Sequence, residues 1–233
     1  MGTATDSSAA EWLPFLLQTA DALFPTGAYA HSLGFEEFVR LGDLHDEAGL
    51  QRFLRMQILP AQRDQELPFL RFAYDARTLA EVCDLDREIS AWKLAAETRN
   101  ASVQLGRRRL KALQIISRDP LLAEFENAIT RGEARGHQLV VCALQARAER
   151  VPLTAALTAY LYQALAAVCA AALKLIRIGQ DGCQRALRAV ALESSNVIGA
   201  SLLVQRRDAG WFNPLLEIAS MRHARAGERL FIS

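Results

Sequence analysis

The segment from Pro152 to Ile178 constrains the fold of this chain most. Pro152-Leu153-Thr154 opens it, and Leu157, Leu161, Leu165, Val168, Ala172 and Ile176 then recur at three- and four-residue steps over several turns. Ala164–Leu173 is the longest unbroken apolar run, bounded by Gln163 and Lys174, and falls short of the ~18 residues that a membrane span needs. A helix that is apolar on most sides belongs at the centre of a bundle. Its alanines let neighbouring helices come close.

The rest of the chain also reads with a helical period, and strand signals are scarce. An apolar helix from Trp12 is expected to end at Phe24, because Pro25 disfavours the α conformation in the residue before it. Gly34–Leu41 reads as a short helix that Gly42 terminates. Glu47–Leu59 reads as a helix stopped by Pro60, with a separate one opening at Pro68; short connections suggest antiparallel neighbours. Ile89, Trp92, Ala96, Val103, Leu110 and Leu113 suggest one long helix from about Asp86 to Ser117. Helices from Pro120, over 137–148 and from Gln184, with a final one after Pro214, complete an all-α, single-domain bundle of about ten helices around the alanine-rich helix. The expected organisation is a flexible N-terminus over 1–11, a helical domain over 12–222 and a tail over 223–233 that orders on a partner.

Charge excludes some functions. Lys and Arg number 27 against 26 Asp and Glu, a net +1, so no global field points to nucleic acid or an anionic membrane. The residues 1–11 lack the basic-then-apolar order of a signal peptide. Cys83, Cys142, Cys169 and Cys183 form no Cys-x-x-Cys pair and read as reduced, buried thiols of a cytoplasmic protein, Cys169 as core packing. There is no phosphate-binding Gly-x-x-x-x-Gly-Lys loop, no Gly-x-Ser-x-Gly elbow and no His-Glu-x-x-His pair, so nothing supports an enzyme, a bound cofactor or a preformed metal site.

The densest unusual chemistry lies in Leu23-Phe24-Pro25-Thr26-Gly27-Ala28-Tyr29-Ala30-His31-Ser32-Leu33-Gly34-Phe35-Glu36. Pro25 and Gly27 make a stiff corner, and Gly34 leaves room for another backbone. This order resembles the opening motif of the UreF family of urease accessory proteins, with Pro25, Gly27, Tyr29, His31, Ser32, Gly34 and Glu36 in register. The resemblance returns at Glu97-x-Arg99-x-Ala101-Ser102 with Gly106 following, at His137 and Gly179-Gln180-x-Gly182-x-Gln184, and at Ser220-Met221-x-His223 with Arg229-Leu230-Phe231-x-Ser233. Ala28, Ala224 and Ile232 depart from the usual pattern. The departure at Ala224 argues against a metal-binding tail.

The resemblance implies a non-catalytic scaffold that bridges a UreD (UreH)-type protein and the GTPase UreG. It further implies two copies of the chain in an assembly that docks on the urease apoprotein for nickel insertion. Nickel and GTP then belong to the complex, with no metal ligand from this chain. Tyr29, His31, Ser32, Arg229, Leu230, Phe231 and Ser233 become partner-binding candidates, Tyr and Arg being the types enriched at interface hot spots. Pro25, Gly27, Gly34, Glu36, Glu97, Arg99, Ser102, Gly179 and Gln180 become structural motif residues.

Other readings stay open. His31 serves a structural histidine as well as a functional one, and nickel ligation there has no second ligand nearby in sequence. His223, near Glu217 and Glu228, reads as a tail contact or a weak metal candidate. Arg107-Arg108-Arg109-x-Lys111 is either a solvated face or a dock for an acidic partner. A helical small-molecule binder with a pocket under the Pro25 corner, and a DNA-binding regulator, are the alternative functions.

Overall fold

A computed structural model describes residues 8–21, 23–26, 32, 34–42, 44–117, 119–227 and 229–231. Among the candidate residues, Gly27, Tyr29, His31 and Ser233 lie outside these. The described residues form one all-α domain: α1 (Ser8–Ala20), α2 (Phe35–Arg40), a continuous α3 over 47–75, α4 (Leu79–Trp92), α5 (Ala96–Leu113), α6 (Pro120–Thr130), α7 (Gln138–Ala148), α8 (Leu153–Leu175), α9 (Gln180–Ala191), α10 (Ser194–Leu203) and α11 (Pro214–His223).

The apolar stripe puts α8 at the centre. Leu157, Leu161, Leu165, Val168 and Ala172 are all fully buried, packed among α1, α2, α3, α7, α9 and α10. Each leucine sealed in this way contributes roughly 1.5–3 kcal/mol. By length and composition α8 is the one helix among the described residues that could cross a bilayer, a match that the unbroken run alone did not show. Its leucines face other helices.

Four sequence expectations change. Helix α1 stops at Ala20 rather than Phe24, because the Asp21 carboxylate accepts the amide of Leu23 at 2.7 Å and closes a turn. Pro60 and Pro68 do not separate two antiparallel helices; both sit within α3. Each follows a widened π turn, in which the amides of Leu59 and Leu67 bond to carbonyls five residues back, Leu54 and Gln62. The wider turn relieves the clash and missing donor that a proline imposes on an α-helix. The long helix expected over 86–117 is divided at 93–95 into α4 and α5. Arg99 takes the Lys93 carbonyl at 2.7 Å and Glu217 takes the Ala95 amide at 3.0 Å, so side chains satisfy the backbone groups the break exposes. The helix expected from Gln184 begins at Gln180.

A close backbone approach fixes α5 against α7. A Cβ at Gly106 would lie 2.1 Å from the Gly136 carbonyl oxygen and 2.6 Å from the Gln138 nitrogen. Glycine is the residue that permits this contact. Asp86, fully buried, gathers the amides of Arg135, Gly136 and His137 just before α7. His137, also buried, faces Ser90 through Nε2 at 2.7 Å and Ser102 through Nδ1 at 3.0 Å. Burial pushes the His137 imidazole down to about 4, partly opposed by Asp86, so the ring is neutral near pH 7.

Candidate functional site

Three stretches that are far apart in the chain meet at one histidine. Gly34, at φ +81°, begins α2 in a left-handed conformation that favours glycine. A Cβ there would sit 2.9 Å from Leu216 Cδ1 of α11, so the glycine also lets α11 lie close. That packing sets Glu36, in the first turn of α2, opposite His223 in the last turn of α11.

His223 is 2% exposed. Its Nε2 lies 2.9 Å from Glu36 Oε2, and its Nδ1 lies 3.0 Å from Glu97 Oε1 at the start of α5. A carboxylate oxygen therefore faces each ring nitrogen. The tail then closes on the same carboxylates. Glu36 accepts the amides of Leu230 at 2.8 Å and Phe231 at 3.1 Å, while Arg229 reaches Glu97 at 3.3 Å. Burial pushes the Glu36 carboxyl up, but hydrogen bonds from Leu230, His223 and Phe231 outweigh it and hold the group below the usual carboxylate range. Phe231 is buried, with the Lys174 ammonium 5.2 Å from its ring centroid.

The arrangement is a latch joining the N-terminal corner, the start of α5 and the C-terminal tail. It unites Gly34, Glu36, Glu97, Arg229, Leu230 and Phe231 of the sequence candidates with His223, which the sequence reads as a tail contact or a weak metal candidate; the tail contact is what forms. The partners of His223 are Glu36 and Glu97, not the sequence-near Glu217. Among the described residues no three His, Cys, Asp or Glu side chains form a group that could hold a metal ion.

The remaining candidates lie elsewhere. Ser32 is fully buried and its carbonyl accepts the Phe35 amide at 3.1 Å. Ser102 belongs to the His137 node and Arg99 to the helix break. Pro25 is exposed in the turn after α1. Gly179 and Gln180 are exposed at the start of α9, where the tight contact belongs instead to Gly182: a Cβ there would lie 2.9 Å from Ile178. Of the four cysteines expected to be buried, Cys169 and Cys183 are, and the Cys183 thiol donates to the Cys169 carbonyl at 3.2 Å, whereas Cys83 and Cys142 are half-buried.

The basic run is not one surface. Arg107 and Arg108 are exposed and bond to the carbonyls of Arg135 and Thr26. Arg109 is 6% exposed and points into the core. Helical phase carried that signal, since Arg109 lies four residues from both Leu105 and Leu113 on the buried face.

The fold and this latch define a helical protein whose distinctive polar residues join its own chain segments and expose an apolar face beside them. The UreF family model matches residues 44–191. The chain is 35% identical to the urease accessory protein UreF of Arthrobacter sp. (strain FB24) over 94% of its length and 96% of that relative's. It is 33% identical to that of Paenarthrobacter aurescens (strain TC1), over 94% and 96%, and 30% identical to that of Actinobacillus pleuropneumoniae serotype 3 (strain JL03), over 94% and 97%. The chain belongs to the UreF family.

Proposed function

We propose that this chain is a non-catalytic scaffold in urease maturation, bridging a UreD-type protein to the GTPase UreG in an assembly that delivers nickel to apo-urease. The observation that carries this reading is the surface beside the latch. Phe212, just before α11, Leu215, Ile218 and Met221 on it and Leu230 in the tail are large, exposed and apolar, with Arg222, Arg225 and Arg229 exposed among them. Apolar anchors rimmed by cations fit a protein partner with an acidic margin.

In this reading nickel is cargo and GTP belongs to UreG. The complex contains two copies of this chain in the cytoplasm, and the tail over 223–233 takes its final order on the partner. Tyr29, His31 and Ser233 are assigned to the assembly surface by the family resemblance, whereas Ser32, fully buried, is not open to a partner. The alternative is a small-molecule binder near the Pro25 corner; among the described residues the nearby cavity lined by Thr19, Arg109 and Gln145 is about 30 Å³, far below the roughly 300–1,000 Å³ of ligand pockets.

The test mixes this protein with UreD and UreG from the same host, with nickel and GTP, and sizes the products by chromatography with light scattering. A discrete complex of all three is expected. Arg229→Ala should weaken UreG recruitment at least tenfold, and Leu215→Ser with Ile218→Ser should weaken the ternary complex, both with unchanged helical circular dichroism. Normal assembly by these folded variants would overturn the assignment of this surface. Failure of the wild type to bind either partner would overturn the scaffold reading.

A further inference from the structure

Arg109 is a buried charge without a counter-charge. Its Nε donates to Gln145 Oε1 at 2.6 Å and a terminal nitrogen donates to the Thr19 carbonyl at 3.1 Å, while the guanidinium lies 5.2 Å from the Phe24 ring centroid. None of these groups is negative, and among the described residues no carboxylate pairs with it. A guanidinium stays protonated, and an unpaired charge is expensive to bury. Glu66 does not compensate it, because Lys93 at 2.8 Å and the Tyr160 hydroxyl at 2.8 Å already occupy that carboxylate.

The same place holds an unsatisfied donor. Gln145 is 1% exposed, and with its oxygen turned to Arg109 its Nε2 has no acceptor. Arg109 and Gln145 line a cavity of about 30 Å³ together with Thr19, Cys142, Tyr160 and Gln163. The Thr19 carbonyl has no capacity left, since it accepts from both Arg109 and Gln163 Nε2. Burial pushes the Cys142 thiol and the Tyr160 phenol up, so neither is an anion near pH 7. Among apolar neighbours that include Phe15, Leu16 and Leu70, the polar part of the lining therefore carries one positive charge in excess and one donor to spare, the Gln145 amide. At the ~10–15 Å³ a water requires, its volume admits one or two small particles.

We propose that this cavity binds one small monovalent anion of the halide class, held by Arg109 and the Gln145 amide. Such an ion supplies the missing charge and acceptor in one step. It also ties α5 to α7, while Arg109 itself carries the link to the Thr19 carbonyl of α1. A volume of about 30 Å³ suits a single small ion better than sulfate, phosphate or an organic acid. This inference is independent of the scaffold reading.

The probe is bromide. The full-length protein in halide-free buffer is melted against increasing sodium bromide, with sodium gluconate keeping the ionic strength constant, and crystals grown in bromide are measured at its absorption edge. We expect a saturable rise in melting temperature of several degrees and an anomalous peak between the Arg109 guanidinium and Gln145 Nε2. Gln145→Glu is nearly isosteric and places a carboxylate against Arg109, so its melting temperature should no longer respond to bromide. A wild-type melting temperature indifferent to bromide, an equal rise in the Glu variant, or a cavity filled only by water in the bromide crystal would each overturn the proposal.

Discussion

Glu36→Gln isolates the latch with the smallest change of shape. The carboxylate accepts three donors: His223 Nε2, the Leu230 amide and the Phe231 amide. Gln keeps one acceptor oxygen, loses the charge and turns an amino group toward donors. The dominant loss is at His223, 2% exposed, where leaving a buried donor unpaired costs about 1–3 kcal/mol. The Leu230 amide lies near solvent and regains water, so the two tail amides add roughly 1 kcal/mol. The total is about 2–4 kcal/mol, which lowers the melting temperature of a chain this size by about 4–16 °C. Thermal melts by circular dichroism read the global effect, and amide exchange at Leu230 and Phe231 reads local release. The pH dependence has a definite sign. Because the folded Glu36 carboxyl sits below its ordinary value, its contribution is complete above the unfolded carboxyl pKa near ~4.3 and fades as pH falls through the lower folded value. The wild type should therefore lose its advantage over the variant in acid. A variant that melts within a degree of wild type, with unchanged exchange at both amides, would refute the latch.

Two further outcomes concern the α5–α7 contact. Gly106→Ala places a Cβ 2.1 Å from a backbone oxygen that cannot turn aside; a loss on the order of 4 kcal/mol or more, or failure to accumulate folded protein, is expected, read by soluble yield and melting temperature. His137→Asn should flatten the acid side of the stability curve. The wild-type ring has a folded value of about 4 against an ordinary 6.5, so the unfolded chain takes up a proton between those limits and the wild type loses stability there. Denaturant titrations should show its advantage over the variant shrinking by about 3 kcal/mol from pH 7 to pH 4; a constant difference would refute the buried neutral ring.

The period of α8 was legible because one face stays buried for its whole length, so spacing alone revealed it. The motif positions were legible as types, but not their contacts. Glu36 and His223 are 187 residues apart, and no local pattern announces such a pairing. The break at 93–95 was hidden for a related reason: Lys93, Leu94 and Ala95 suit a helix, and the groups that favour the break come from Arg99 and Glu217. The prolines of α3 misled in the opposite sense. A local rule forbids them in an α-helix, while a π turn before each one satisfies the rule without ending the helix.

The two buried histidines sort the chemistry of the fold. His137 is held by serine hydroxyls, while the nearby Asp86 carboxylate is spent on backbone amides rather than on the ring. Burial therefore wins, and the ring stays neutral. His223 is equally hidden from solvent, yet both its nitrogens meet carboxylates that also hold the tail. Acid should reach the two places by different routes: the core node is penalised as pH falls from 6.5 toward 4, whereas the Glu36 side of the latch is lost only as its carboxyl takes a proton, below ~4.3. Tail release should thus accompany or follow core loosening on acidification rather than precede it. Exchange at Leu230 and Phe231 that accelerates by pH 5, ahead of any change in global stability, would show that the tail is held by something other than the Glu36 carboxylate.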